Sequence, residues 1–538
     1  MSKMKLKGIV MTKKKSFRKL LAAVCALTLV GGMGAAVTAN AADGVAPWAE
    51  NHPTTGSIKI TKTLPDQKTA VPGAEFTVTK VTAIDGEPYD LTTYDGWNAV
   101  AKKVPTLNTD PNSNTVTLDT NKTSKTTNDS GVAVFDKLAL GLYKVEETMV
   151  PTGYSSDVKP FFMTIPEITG TDSNNLTYTY DVEAKPKNKD VKDSVSKTGD
   201  YSATVGEGDE ISYTITSTLN KKDPAADKDL TAADINGFAI FDDAQTNAYQ
   251  TIDASAVKSV KIEGQQDSLV SGTDYTVAVN ADPDTTVYPA GERTRVQINF
   301  TEDGLTKIAA AATADAAPKV LVNLTFKLKT GENAPDSVTN KFGFVPGHGT
   351  DEPVSPPVIR EPKDPDPKKP NDPEYPNPTV KFRQFQINKT NSVDSKPLAG
   401  ADFIAFANKT DAENCVKTDN RDSCSGASAN FETRTTGGDG KTPAYKARVG
   451  ATFYVVEKKA PKGFILSNNV TAVTIDSGNT AFKTDITNVP IPRNDPKIPW
   501  FKMPSTGATG VGIFALLGAG LVAGGTAMHM RSRRRENA

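Results

Sequence analysis

Two stretches far apart in the chain repeat one pattern. Ser57-Ile58-Lys59-Ile60-Thr61-Lys62 is followed by Pro72-Gly73-Ala74-Glu75-Phe76, and Phe385-Gln386-Ile387-Asn388-Lys389 by Ala399-Gly400-Ala401-Asp402-Phe403, with eleven residues from lysine to glycine in both. Further on, Tyr143-Lys144-Val145-Glu146-Glu147-Thr148-Met149-Val150-Pro151-Thr152-Gly153-Tyr154 matches Phe453-Tyr454-Val455-Val456-Glu457-Lys458-Lys459-Ala460-Pro461-Lys462-Gly463-Phe464 position by position. A spacing kept over so long a stretch requires that one module be built twice. The segments alternate apolar with polar residues, are rich in Thr and Val, and break at Gly, Asn and Asp. That pattern predicts an all-β chain of sandwich domains with few helices, one of them a short helix over Leu305 to Ala312.

Side chains two apart on a strand share a face. Ile58, Ile60 and Lys62 therefore point one way, as do Phe385, Ile387 and Lys389, so each module sends a lysine into its core. The same parity groups Glu147 with Tyr143 and Val145, and Glu457 with Phe453 and Val455. It brings Asn188 onto the face of Val182 and Ala184, and Asn488 onto that of Ile486. Between the two modules, about residues 190 to 345, Lys197 shares a face with Val195, Asp242 with Phe238 and Ile240, and Asn340 with Val338 and Phe342. Lys192 and Asp243 are rivals there, but each falls on the opposite face.

An unpaired buried ammonium costs several kcal/mol. Burial lowers a lysine's pKa and raises a carboxylic acid's. A neutral amine beside an asparagine and a protonated acid can attack the amide carbon while the acid moves protons, releasing ammonia and leaving an isopeptide crosslink. A buried ion pair with an asparagine neighbour is the simpler alternative and the better reading of any single set; the same parity in both repeated modules, taken together with a family resemblance, favours the crosslink. Borrowing the chain-entropy treatment of disulfides, a link closing a loop of about a hundred residues or more contributes roughly 4 to 5 kcal/mol.

The two ends carry address-like segments. Lysines run through Lys19, an apolar stretch spans Leu20 to Val37, and Ala39-Asn40-Ala41 closes a secretory signal cut near Ala41. At the other end Met503-Pro504-Ser505-Thr506-Gly507 precedes an apolar run from Val511 to Met528, long enough to span a bilayer, and then Arg531-Ser532-Arg533-Arg534-Arg535. The chain's bulk is expected outside the cell. The three-part order resembles the LPXTG-type sorting signal of Gram-positive surface proteins, with Met503 in place of leucine. That resemblance implies that a sortase cuts between Thr506 and Gly507 and passes the threonine acyl group to an amine.

The repeated modules resemble the CnaB domains of Gram-positive pilins, whose E-box glutamate promotes the isopeptide bond, and the middle stretch resembles the CnaA-like domain, where an aspartate does so. Val182-Glu183-Ala184-Lys185-Pro186-Lys187-Asn188 is similar to the pilin motif of backbone subunits, which ends in Tyr-Pro-Lys-Asn. Lys187, sent outward beside the inward Asn188, would then be the amine a sortase reaches. Lys185 stands where the family has tyrosine and Ala184 where it has a second valine, so Lys185 and Lys189 stay open as acceptors. Together these imply a covalent head-to-tail fibre of identical subunits anchored to peptidoglycan, with Glu147, Asp242 and Glu457 as the promoting acids. Accessory pilins and a host or matrix ligand are left open, and a monomeric wall-anchored adhesin is the alternative.

The expected map is a signal peptide at 1–41, a CnaB-like domain at 50–189, a CnaA-like Ig domain at 190–345, a Pro-rich linker at 346–380, a CnaB domain at 381–490, a spacer at 491–502 and the sorting signal at 503–538. At 538 residues, three or four domains of roughly 150 residues fit. A formal charge of −1 with basic clusters only at the termini argues against nucleic acid. Of three cysteines, Cys25 lies in the signal peptide, leaving Cys415 and Cys424 as a local disulfide in an oxidising exterior. The three histidines stand apart, no catalytic set assembles, and no cofactor or metal site is expected.

Overall fold

The computed structural model describes residues 36–39, 44–170, 176–224, 228–361, 379–426, 431, 433–478 and 482–491. The expected signal peptide apart from Ala36–Ala39, the segment 362–378, and the expected spacer and sorting signal from 492 onward lie outside the described residues. The chain forms two compact units. Their described residues fall within 36–202, 210–329 and 337–380 in one and within 203–209, 330–336 and 381–491 in the other.

The first unit contains two sandwiches. In the first, Thr55–Thr61 lies between Asp181–Lys185, its parallel neighbour, and Val132–Ala139, its antiparallel one. Facing it is a sheet in which Glu75–Ile84 is flanked by Gly141–Met149 and Val116–Thr126, with Phe161–Ile165 beyond Gly141–Met149. Alternation fills the space between the sheets with Ile58, Ile60, Phe76, Val78, Phe135, Val145 and Val182. Ala36–Ala39, inside the expected signal peptide, runs antiparallel along the outer edge of Asp181–Lys185.

The middle sandwich packs the sheet Val195–Asp200, Glu210–Thr218, Lys319–Lys327 and Val257–Ile262 against a five-stranded sheet. The order of the second sheet is Tyr275–Ala281, Arg293–Phe300, Ala239–Gln245, Lys341–Val345 and Val358–Arg360. Its last strand continues past the expected start of the Pro-rich linker at 346. Val358 is buried and pairs with Phe344, so the sheet keeps the chain beyond Pro346 despite its prolines.

The second unit carries the second copy of the repeated module. Val380–Asn391 pairs in parallel with Phe482–Asn488 and antiparallel with Tyr445–Arg448. The facing sheet has the order Arg434–Thr435, Asp402–Phe406, Thr452–Lys459 and Val470–Thr474. Phe385, Ile387, Phe403, Phe431, Phe453 and Val455 fill the core. In both copies the first and last strands are thus parallel neighbours.

Among the described residues, three α-helices interrupt the strands. Glu302–Ala309 lies near the expected helix, starting three residues earlier because Thr301 caps its N-terminus. Tyr94–Thr109 and Lys409–Lys417 are two further helices, at positions the sequence pattern does not single out. The first buries Trp97, Val100, Val104 and Leu107, spaced three to four apart, against Val81, Leu142 and Phe162, and Thr93 caps it by accepting from Gly96. The second buries Ala412 and Cys415 against Ile404, Phe406 and Val456.

Candidate functional site

Each sandwich encloses one lysine, one carboxyl group and one asparagine in contact. Lys62 follows directly on the strand Thr55–Thr61; its side chain is fully buried, with Glu147 and Asn188 nearly so. Lys62 Nζ donates to Glu147 Oε2 at 2.9 Å and Asn188 Nδ2 to Glu147 Oε1 at 2.8 Å, so one carboxyl bridges amine and amide. Ser156 Oγ adds a 2.6 Å hydrogen bond to Oε2. Asn188 Oδ1 is buried and, among the described residues, accepts nothing.

The middle sandwich repeats this with an aspartate. Lys197 Nζ donates to Asp242 Oδ2 and Asn340 Nδ2 to Asp242 Oδ1 at 3.0 Å, all three side chains being buried. Lys197 Nζ also lies 4.0 Å from the centre of the Tyr213 ring. Asn340 Oδ1 accepts from Tyr249 Oη at 3.0 Å and from the Gln245 backbone N–H at 3.2 Å. The lysine strand belongs to one sheet, while the aspartate strand and the asparagine flanking Lys341–Val345 belong to the other. A Lys197–Asn340 link would therefore tie sheet to sheet. The rivals have other engagements: Lys192 is half-exposed and paired with Asp190, and Asp243 is buried on the opposite face, held by Arg295 at 2.7 and 2.9 Å and by Tyr288 at 2.8 Å.

In the third sandwich Lys389 Nζ lies 3.2 Å from Glu457 Oε1 and donates to Asn488 Oδ1. Asn488 Nδ2 reaches Glu457 Oε1 at 2.8 Å and Oε2 at 3.1 Å, and the Ser467 N–H donates to Oε2 at 2.8 Å. Burial pushes the pKa of Lys62, Lys197 and Lys389 below the ordinary lysine value, against the opposing pull of each one's carboxylate. It pushes Asp242 above the ordinary aspartate value, against the opposing pull of Lys197. Low amine basicity together with a carboxyl touching both amine and amide is what nucleophilic attack on the asparagine Cγ requires.

Sequence parity brings these nine side chains together but does not identify the groups that hold the acids. Ser156 and Ser467, each following the repeated Pro-x-Gly by three or four residues, secure the glutamates. Arg421 was not anticipated. Although largely buried, it donates to the carbonyls of Glu457 at 2.7 Å, Ser467 at 2.6 Å and Val416 at 3.2 Å. It sits in the loop joined by Cys415 and Cys424, whose Cα atoms are 5.7 Å apart. Replacing Arg421 with alanine leaves three carbonyls without their cationic donor, and should cost the second unit roughly 2 to 3 kcal/mol, read as a lowered urea midpoint. An unchanged midpoint would show that water replaces the guanidinium without loss.

Beside the first cluster, Lys185, Lys187 and Lys189 are all half-exposed. Lys185 pairs with Glu183 at 3.3 Å and Lys189 with Asp157 at 2.6 Å. The Lys187 ammonium has no ion pair or hydrogen bond among the described residues; its backbone bridges to Thr63, next to the inward Lys62. Met503 to Gly507, including Thr506, lie outside the described residues.

Residues 56–180 and 383–490 match the family model described as SpaA, a prealbumin-like fold domain. Fimbrial subunit type 1 of Actinomyces viscosus is 26% identical over 494 residues, covering 86% of this chain and 85% of that protein. Fimbrial subunit type 2 of Actinomyces naeslundii is 26% identical over 509 residues, covering 87% and 84%. The full-length major pilin SpaD from Corynebacterium diphtheriae has the same fold, with a TM-score of 0.50 and 18% identity over 82% of this chain and 99% of that one.

Proposed function

We infer that this chain is a major pilin, a shaft subunit of a surface fimbria of Gram-positive type, and propose that it is polymerised covalently through Thr506 and Lys187. A sortase breaks the Thr506–Gly507 peptide bond, an amide forms between the Thr506 carbonyl and Lys187 Nζ of a neighbouring subunit, and the proton goes to the released glycine amine. One end joined to a different surface of the next copy is a heterologous contact and extends as a filament. Peptidoglycan takes the place of the lysine at the fibre base.

Each subunit is stiffened from within. Lysine Nζ attacks asparagine Cγ, the carboxyl takes a proton from the amine and delivers one to Nδ2, and ammonia leaves as the isopeptide bond forms. Glu147, Asp242 and Glu457 act once, on their own chain, without turnover. Pulling force entering the first sandwich or the third then crosses a covalent bond near adjacent parallel strands instead of unzipping their hydrogen bonds.

The observation that carries this reading is the recurrence, in all three sandwiches, of a buried carboxyl in contact with both a lysine amine and an asparagine amide. Two measurements test it. Cell-wall extracts on a denaturing gel are expected to give a ladder of high-mass species; a single band would mean an unpolymerised wall adhesin. The intact mass of the chain is expected to fall short of its sequence by three ammonia losses, and by two hydrogens for the disulfide. A full sequence mass would remove the crosslinks.

A further inference from the structure

The middle cluster differs from the other two in how its asparagine carbonyl is held. Asn188 Oδ1 accepts no hydrogen bond among the described residues, and Asn488 Oδ1 accepts one from the attacking lysine itself. Asn340 Oδ1 alone faces two donors that belong neither to the nucleophile nor to the acid: Tyr249 Oη at 3.0 Å and the Gln245 N–H at 3.2 Å. We propose that Tyr249 and the Gln245 amide form an oxyanion hole for the crosslinking of Lys197 to Asn340, making Tyr249 a catalytic residue of that reaction. The proposal rests on the isopeptide reading above and extends it to the charge that develops on Asn340.

When Lys197 Nζ adds to Asn340 Cγ, the carbonyl electron pair moves to Oδ1. Fixed donors already directed at that oxygen stabilise the charge without reorganising. Asp242 Oδ2 receives the amine proton, and Asp242 Oδ1, 3.0 Å from Nδ2, supplies the proton with which ammonia departs. The electron pair then returns from Oδ1 to reform the carbonyl of the new amide. Proton transfer and oxyanion stabilisation thus fall to separate groups.

The surroundings hold both donors in position. The Tyr249 ring is buried and stacks on Phe326 at 4.7 Å, and its oxygen lies 3.2 Å from the Tyr213 hydroxyl. With the Tyr249 proton committed to Asn340, the Tyr213 hydroxyl donates to Tyr249, and such a chain polarises the terminal donor. Gln245 ends the strand that carries Asp242, so acid and amide donor share one backbone. Its side chain accepts from the N–H of Thr339, the residue before Asn340, at 3.2 Å. Burial also holds the Tyr249 phenol well above its ordinary pKa, so it stays a donor.

The test follows crosslinking as the full chain is made by cell-free synthesis. Timed acid quenches are analysed by intact mass and by the yield of the tryptic peptide joining Lys197 to Asn340. Tyr249→Phe keeps the ring and its stacking, and is expected to slow that crosslink about a hundredfold, the usual effect of losing one oxyanion donor. The Lys62–Asn188 and Lys389–Asn488 links in the same molecules should form at their normal rate. Tyr213→Phe, which removes the hydroxyl that polarises Tyr249 but spares the donor itself, should slow the same crosslink far less than Tyr249→Phe does. As a check independent of packing, 3-fluorotyrosine at position 249, a stronger donor of nearly the same shape, should speed the reaction. A wild-type rate in Tyr249→Phe, equal slowing in Tyr213→Phe, or no response to fluorination would overturn the proposal. A wild-type chain lacking the joined peptide would overturn the crosslink reading itself, a separate and recognisable outcome.

Discussion

Replacing Lys187 with arginine is expected to reduce the ladder of cell-wall polymers to a monomer band, while Lys185→Arg and Lys189→Arg leave the ladder intact. Arginine keeps the charge and solvation of the site but remains protonated at any accessible pH and supplies no nucleophilic amine. Alternation alone directs Lys187 outward. What separates it from its neighbours is engagement: Lys185 is drawn to Glu183 at 3.3 Å and Lys189 to Asp157 at 2.6 Å, each of which would have to be released before transfer. Lys187 has no such partner among the described residues, and its backbone is anchored at Thr63, so the amine is presented from a fixed base. The measurement is a denaturing gel of wall extracts from the three strains, with equal amounts of subunit confirmed after export. Loss of the ladder in Lys189→Arg but not in Lys187→Arg would move the linkage to Lys189.

The inward lysines are legible in the sequence because a strand's period of two assigns each residue a face. One charged residue in phase with two or three apolar ones therefore reads as a buried charge. That logic reaches Lys62, Lys197 and Lys389 and their partners, since all lie on or beside regular strands. It does not reach Arg421, which comes from a short irregular turn and is buried because the Cys415–Cys424 loop folds it over Glu457. Nor does it reach Tyr249, which lies past the end of a strand and meets Asn340 only through tertiary packing. The helix Tyr94–Thr109 is a different case. Its Trp97, Val100, Val104 and Leu107 have helical spacing and its cap is a threonine, but Pro105 inside it and a polar majority mask the pattern. The strand Val358–Arg360 is hidden by proline-rich surroundings that suggest a linker.

Changing Glu457 to glutamine should leave the third sandwich without its crosslink and reveal how much that bond contributes. Glutamine keeps the shape and one acceptor for Asn488, but it neither takes a proton from Lys389 nor gives one to the departing amide, so the chain should be one ammonia heavier than wild type. Lys389 and Asn488 are 99 positions apart, and losing a link over such a loop costs roughly 4 to 5 kcal/mol on the chain-entropy treatment. An uncompensated buried amine adds a further penalty of a few kcal/mol. The second unit should therefore melt well below the first, with the Cys415–Cys424 bond intact. The pH dependence separates the two costs. In wild type, on the proposed reading, the crosslinked nitrogen would be an amide and would not titrate. In the variant the amine is free and buried, with a folded-state pKa below its ordinary 10.5, and lower still without the Glu457 carboxylate. Between that depressed value and 10.5 the unfolded chain binds more protons than the folded one, so the variant gains stability as pH rises through this window. Below the window the buried amine is charged and its penalty is fully present. A variant that keeps the wild-type mass would deny Glu457 its role; one that retains the ammonia but melts like wild type, with no pH slope, would mean that the crosslink contributes nothing measurable to thermal stability.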